Sequence, residues 1–406
     1  MSNLAINAER FLARLKTLGE IGRDDQGRLV RLAGTDADRA GRDQLVTWLG
    51  EAGLAVEIDQ IGNIFGIWTP EGAHGDPVLV GSHIDSVIDA GIYDGCTGVL
   101  GGLEVIQTLK ESGITPSHPI AVAAFTNEEG VRFAPDMTGS LVFVGGLSVT
   151  DSHTSIGTDG ARLGAELARI GYHGAREPGF FKPHAYVELH IEQGPILDRD
   201  GIAVGAVENL QGISWQRVTI SGVANHAGTT PMDMRHDAGF AAASVITFLR
   251  SIATGGTVAT VGTIRFIPDA INVIPSQAAF TVDLRDPDET RLQAAEAVLA
   301  AYLDQIAKAE GVTISTERLA RFAPVMFDPA IVGMVEDAAH QRGLSVRRMT
   351  SGAGHDAQMM ARLAPTAMIF VPSVDGISHN PREHTAPDDL VAGANVLLSV
   401  VERLAR

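Results

Sequence analysis

Three neighbouring stretches decide the fold: PVLVGSHIDSV (residues 77–87), GCTGVLGGLEVIQTLKES (95–112) and PIAVAAFTN (119–127). The outer two are short apolar runs that give way to polar residues, which read as buried strands. The middle one is rich in small and apolar residues and reads as a buried helix. Strand, helix, strand in that order predicts a βαβ unit in a mainly parallel central sheet flanked by helices, an α/β architecture. In such sheets the working side chains collect at the carboxyl ends of the strands. His83, Asp85, Glu128 and Glu129 all stand where an apolar strand gives out.

Working outward, residues 4–19 and 35–53 have the spacing of amphipathic helices, and AVEIDQIGNIFGIW (55–68) alternates like a pair of short strands. The character changes near Gln211. SWQRVTISG, ATVGTIRFI and SQAAFTVDLR alternate, and DAGFAAASVITFLRSIA and ETRLQAAEAVLAAYLDQIAKAEG read as helices. About four strands and two helices make a separate α+β layer. After APVMFD the first pattern resumes, with a helix in AIVGMVEDAAHQRG, the strand PTAMIFVP and a last helix from Asp388 to Arg406. The expected organisation is a discontinuous catalytic domain, 1–212 and 326–406, carrying an inserted smaller domain, 213–325.

The 406 residues are enough for two domains. A net charge of -18 argues against a nucleic-acid or anionic-membrane partner, although a local cation could still hold a small anion. The single cysteine, Cys96, excludes an internal disulfide and fits a reducing cytoplasm. MSNLAINAERFLARLKTLGEIG lacks the apolar core of a signal peptide, and no stretch is long enough to span a bilayer. A cytoplasmic protein is expected.

Glu128 and Glu129 raise the chemical question. Two adjacent carboxylates at the mouth of an apolar strand repel each other, and burial favours neither. Either the pair is solvated at a loop tip or a cation lies near it. His83 and Asp85 share a face of an extended strand, a pattern that fits a surface as well as a site. Asp94, in YDG, reads equally as an Asp-Gly turn. His190 sits in the apolar alternation YVELHIEQGPIL, where a satisfied core histidine is the simpler reading. GISHNPREHT offers His379 and His384 in a polar loop. Together, histidines and carboxylates at strand ends suit borderline divalent ions such as zinc, manganese, cobalt or nickel. Two ions sharing a carboxylate would supply the missing positive charge.

Seven longer strings carry a family resemblance nearly end to end: GSHIDSV, YDGCTGVLGGLEVI, FTNEEGVRF, ELHIEQGPIL, NHAGTTPMDMRHDA, SGAGHDAQMMA and GISHNPREHT. The chain resembles the di-metal aminoacylase and carboxypeptidase-like hydrolases, in the N-carbamoyl-amino-acid amidohydrolase branch. That branch includes L-carbamoylases, beta-ureidopropionases and allantoate amidohydrolases. The resemblance implies two divalent ions per subunit. His83 and His190 would bind one, Glu129 and His379 the other, and Asp94 would bridge them. Glu128 is implied as the general base and Asp85 as an outer partner of the ligands, with His384 near the site. His226 in ANHAGTTPM would reach a partner subunit's site and stabilise an oxyanion.

Asn272 and Arg285 would bind a substrate carboxylate, the planar fork of Arg285 matching its two oxygens. An Arg285 paired with Asp283 or Asp286 on the surface is the plainer alternative. Gln193 is implied at the carbamoyl end, with the backbone around Gly352 and Gly354 turned towards the ligand and His355 nearby. Ile213 stands where allantoate-type relatives often carry a polar residue, which tilts the reading towards a carbamoyl amino acid. The implied protein is a homodimer whose inserted domain acts as lid and dimerisation domain. Its substrate would be a small anionic carbamoyl or ureido compound, with N-acyl amino acids and dipeptides as the alternative.

Overall fold

The computed structural model describes residues 4–406, so the first three residues of the N-terminal stretch lie outside it. It divides into two compact units, Met1–Glu208 with Met326–Arg406, and Asn209–Val325.

The first unit is built on a mixed sheet whose centre is parallel. Its strands are β1 (Ala55–Ile58), β2 (Ile64–Trp68), β3 (Val78–His83), β4 (Ile120–Phe125), β5 (Ala185–Ile191) and β6 (Val204–Leu210). The second unit supplies β7 (Gly212–Ser221), β8 (Val258–Thr260), β9 (Ile264–Ile267), β10 (Gln277–Asp286) and β11 (Thr313–Phe322). The chain then returns through β12 (Val325–Met326), β13 (Val346–Ser351) and β14 (Thr366–Val371).

The order in the first sheet is β1-β2-β4-β3-β5-β14-β6-β12, with β13 on β6. β4, β3, β5 and β14 run parallel, and antiparallel partners flank them. Every residue of β3, β4, β5 and β14 is buried, as expected where helices cover both faces. The helix Cys96–Glu111 joins β3 to its parallel neighbour β4, completing the βαβ unit. It packs close because Gly98 has no side chain: a Cβ there would lie 2.6 Å from the Leu189 carbonyl oxygen.

The first helix, Ala8–Glu20, begins later than the apolar spacing implied, because the Asn7 side chain accepts the Arg10 N–H and caps it there. The unit boundary falls between Glu208 and Asn209 rather than after residue 212. β6 passes into β7 through Gln211 alone, so extended chain runs across the boundary with no linker to mark it.

In the second unit the order is β11-β7-β10-β8, with β9 also on β10. It has five strands rather than about four. ATVGTIRFI breaks at Val261–Thr263, where the Thr281 hydroxyl accepts the Thr263 N–H in place of a regular ladder bond. The helices Ala238–Ile252 and Glu289–Glu310 bury one face of this sheet over Val218, Ile220, Phe280, Val282 and Leu284. Along β10 the alternation is strict, so Asp283 and Arg285 lie on the opposite face from Leu284. Among the described residues no helix is long and apolar enough to cross a membrane.

Candidate metal centre

Four strand ends and one helix start converge on Asp94. His83 is the last residue of β3, His190 the penultimate residue of β5, and Glu128 and Glu129 follow β4. His379 lies in the loop after β14, and Asp94 just precedes the helix Cys96–Glu111. One oxygen of Asp94, Oδ1, lies 3.4 Å from His83 Nε2 and 3.1 Å from His190 Nε2. The other, Oδ2, lies 3.2 Å from His379 Nε2, which is itself 3.5 Å from Glu129 Oε2. His83–Asp94–His190 and Asp94–Glu129–His379 could therefore each hold a metal ion with one carboxylate shared, and Glu188–His190–His355 is a third such group, the donor atoms of each lying within 4.8 Å of one another. All of these side chains except the half-exposed His379 are at least nine-tenths buried.

The hydrogen bonds fix which nitrogens are available. His83 Nδ1 lies 2.9 Å from the Asp85 carbonyl oxygen and His190 Nδ1 2.8 Å from the Ile191 carbonyl oxygen. A carbonyl only accepts, so the ring proton sits on Nδ1 and the Nε2 lone pair is left facing Asp94. Gly95 N–H donates to that same lone pair on His190, at 3.2 Å. Lone pairs and carboxylate oxygens at 3.1–3.4 Å repel unless a cation lies between them. The donor set and its tautomers thus fit divalent metal ions.

Without metal, protons take that place. Burial pulls the His83 and His190 imidazoles down, but Glu128 and Asp94 around the first and Asp94 beside the second more than reverse it, and both rise. The Asp94 contact lifts His379 to about 9. Burial alone would raise Asp94, yet its three histidines hold it well below the usual carboxylate range. Burial pushes Glu128 well up and Glu129 to about 8. Among the described residues, the ion-pair partners of these three carboxylates are histidines, with no lysine or arginine.

Asp85 meets both His83 and the Glu-Glu pair, and its Oδ1 lies 3.8 Å from His83 Nδ1. Its backbone carbonyl takes the His83 N–H, while its carboxylate accepts the N–H groups of Glu128 and Glu129, at 3.2 and 3.3 Å. It thereby sets the backbone of the Glu-Glu pair. Glu128 Oε2 lies 3.4 Å from His83 Nε2. Gln193 donates its amide to Asp94 Oδ2 at 2.8 Å, and its own Oε1 is buried without a partner. A cavity of about 150 Å³ opens over these groups, also lined by Gly354 and His355. Gly352 stands just outside it, on the exposed turn after β13. His355 is buried, 3.1 Å from the Ser351 hydroxyl, and burial holds it well below the usual imidazole range. His384 is exposed and meets the edge of the Tyr93 ring.

Several acids escaped the sequence reading, among them Asp136, which lines the cavity, and Asp356, fully buried and accepting from Ser140. Glu188 is fully buried on β5 and accepts from Ser82, Tyr186 and the Ala357 N–H. A glutamate inside a run otherwise reading as buried strand was its signal. Glu383, between the two loop histidines, accepts the Tyr93 and Asp94 N–H groups. Nothing in the sequence marks it.

His226, Asn272 and Arg285 belong to the second unit. The first two are neighbours, since Ala227 N–H donates to the Asn272 carbonyl at 3.0 Å and His226 bridges Val273. His226 Nδ1 accepts the N–H groups of Gly228 and Thr229, which places the ring proton on Nε2. Arg285 pairs with Asp283, Nη2 to Oδ2 at 2.9 Å, and stands opposite Ile213 across the β10–β7 ladder.

The chain belongs to the peptidase family M20/M25/M40, whose model matches residues 79–403. Within that family, it is 42% identical to the N-carbamoyl-L-amino acid amidohydrolase of Geobacillus stearothermophilus, with 99% of each chain covered. It is 41% identical to the N-carbamoyl-L-amino-acid amidohydrolase of Rhizobium meliloti, over 98% of this chain and 97% of that one. Among solved structures, a hydantoinase/carbamoylase-family amidase from Burkholderia multivorans superposes with a TM-score of 0.96 at 43% identity, over 100% of this chain and 99% of that one.

Proposed function

We propose that the chain is a di-metal amidohydrolase that cleaves the carbamoyl C–N bond of an N-carbamoyl amino acid, giving the free amino acid, ammonia and carbon dioxide. The observation that carries this reading is the pair of ligand groups sharing Asp94, in a chain whose near-full-length relatives include N-carbamoyl-L-amino-acid amidohydrolases. His83 and His190 would hold one divalent ion, Glu129 and His379 the other, and Asp94 both. Zinc, manganese, cobalt or nickel suits these donors. When bound, such ions polarise a carbonyl oxygen and make water more acidic.

The chain's own residues do the rest. Glu128 takes the proton of the attacking water and delivers it to the leaving nitrogen; its buried carboxylate is suited to holding a proton. Gln193 Oε1, buried and unpartnered, is a ready acceptor for the carbamoyl NH₂. Arg285 and Asn272 take the substrate carboxylate, with Asp283 steadying the guanidinium. In the homodimer His226 would offer its Nε2–H to the oxyanion of the tetrahedral intermediate in the other subunit's site, and the backbone around Gly352 and Gly354 would face the ligand. The apolar Ile213 opposite Arg285 supports a carbamoyl amino acid over allantoate. In this reading the protein is a cytoplasmic homodimer acting on a small anionic substrate, and its acidity disfavours nucleic acid and anionic membranes as partners.

The same ligand set would serve allantoate, N-carbamoyl-β-alanine, N-acyl amino acids or dipeptides, so substrate assignment needs an assay. Manganese- or cobalt-loaded protein is offered N-carbamoyl-L-amino acids, N-carbamoyl-β-alanine and allantoate, with ammonia measured. N-acetyl amino acids and dipeptides are followed by free amine. Ammonia from the carbamoyl-L-amino acids supports the proposal; free amine from acyl substrates alone refutes it.

A further inference from the structure

Asp94 can serve both ligand groups only if its backbone is held in one place, yet residues 91–95 have no regular secondary structure. The contact that holds them comes from the far end of the chain. Glu383, 6% exposed, accepts the Tyr93 N–H at 3.2 Å and the Asp94 N–H at 3.3 Å through Oε1. Its Oε2 accepts the Ser378 hydroxyl at 2.9 Å, and Ser378 adjoins His379. One carboxylate therefore ties the segment bearing Asp94 to the loop bearing His379.

A second observation comes from the opposite side of this contact. A Cβ added to Gly91 would lie 2.3 Å from Glu383 Oε1 and 2.5 Å from its Cδ. Gly91 does not have a positive φ. Its lack of a side chain is thus a matter of space, and the space is filled by the Glu383 carboxylate. Setting another carboxylate beside Asp94 costs free energy in the metal-free chain through like-charge repulsion, which bound dications would offset.

We propose that Glu383 is a positioning residue for the metal centre: without touching an ion, it fixes Asp94 so that Oδ1 faces His83 and His190 while Oδ2 faces His379. This rests on reading Asp94 as the shared ligand. Outer partners of metal ligands commonly contribute about 10- to 100-fold in metal affinity, and Glu383 serves two ligand segments at once.

The test uses full-length wild type, Glu383→Ala, Glu383→Gln and Gly91→Ala. Mn²⁺ alone is the probe, in equilibrium dialysis with metal counting, alongside melting of the metal-free proteins. Glu383→Ala and Gly91→Ala should lower Mn²⁺ affinity roughly 10- to 100-fold in protein that is still folded without metal, where the unpaired N–H groups or the displaced carboxylate also lower the metal-free melting temperature. Glu383→Gln should recover most of the affinity, because its amide oxygen can accept the two N–H groups and its NH₂ can donate to Ser378. Wild-type affinity in folded Glu383→Ala overturns the positioning role and leaves the metal centre standing. Wild type that takes up no Mn²⁺ overturns both. A fall in metal-free melting temperature that Glu383→Gln does not restore marks a merely structural role and also overturns it. Should Glu383→Ala fail to fold, Gly91→Ala is judged by the same criteria.

Discussion

Glu128→Gln separates proton transfer from metal binding. The replacement is isosteric, and the backbone N–H of residue 128 stays on the Asp85 carboxylate, so the loop after β4 keeps its path. None of the five implied ligands changes. What is lost is a basic oxygen 3.4 Å from His83 Nε2, in a side chain 9% exposed, where bulk water is a poor substitute. A positioned general base contributes roughly 100- to 10,000-fold, or about 3–5 kcal/mol of barrier at 1.36 kcal/mol per decade. Burial shelters the site, so the loss should fall in the upper part of that range.

Stability should move the other way or not at all. Burial and the neighbouring carboxylates Asp356, Glu129 and Asp94 all oppose ionisation of Glu128, and a neutral amide removes that repulsion. The assay is ammonia release from N-carbamoyl-L-amino acids by manganese-loaded protein, with metal content measured on the same sample. Turnover within tenfold of wild type at full metal content would refute the reasoning. Loss of metal together with turnover would make Glu128 a ligand rather than a base.

Three further outcomes are expected. Gly95→Ala puts a Cβ 2.5 Å from the His83 ring at a φ of +63°, costing about 1–2 kcal/mol in backbone strain alone and displacing the imidazole; metal analysis should show loss of Mn²⁺, and retained stoichiometry counts against the ligand assignment. In the metal-free protein His379 (about 9, against an ordinary 6.5) and Glu129 (about 8, against 4.5) both bind protons more tightly folded than unfolded. Their contribution to stability is therefore present at low pH and lost as pH rises, between about 4.5 and 8 for Glu129 and about 6.5 and 9 for His379. Melting in EDTA should fall across that window and Mn²⁺ should flatten the fall; a flat EDTA profile contradicts it. Arg285→Lys keeps the charge but loses the two-pronged grip, a charged hydrogen bond worth about 1.5–3 kcal/mol; KM should rise roughly 10- to 100-fold with kcat little changed, and an unchanged KM removes Arg285 from the substrate.

Local chemistry was enough to read much of this protein. Apolar runs that end in polar residues identified β3, β4, β5 and β14, and a small-residue helix between two of them implied the parallel centre. These are short-range patterns, so they survive in one dimension. The odd pair Glu128–Glu129 raised the choice between a solvated tip and a nearby cation for the same reason: adjacent like charges beside an apolar strand are visible wherever they occur. The Arg285–Asp283 pair was legible too, because residues two apart on a strand share a face.

What tertiary structure decided is which distant groups meet, and on which atoms. Asp94 reads as a turn residue until the sheet order sets β3 beside β5 and brings the loop after β14 over both. Only then do its two oxygens face different histidines. Asp85 shares a strand face with His83 in the sequence, and only the fold shows its backbone carbonyl taking the ring N–H while its carboxylate serves Glu128 and Glu129. Glu383 stands 289 residues from Asp94 with no local pattern to betray it. Its distant partners are backbone N–H groups, which every residue but proline carries and no sequence spells out.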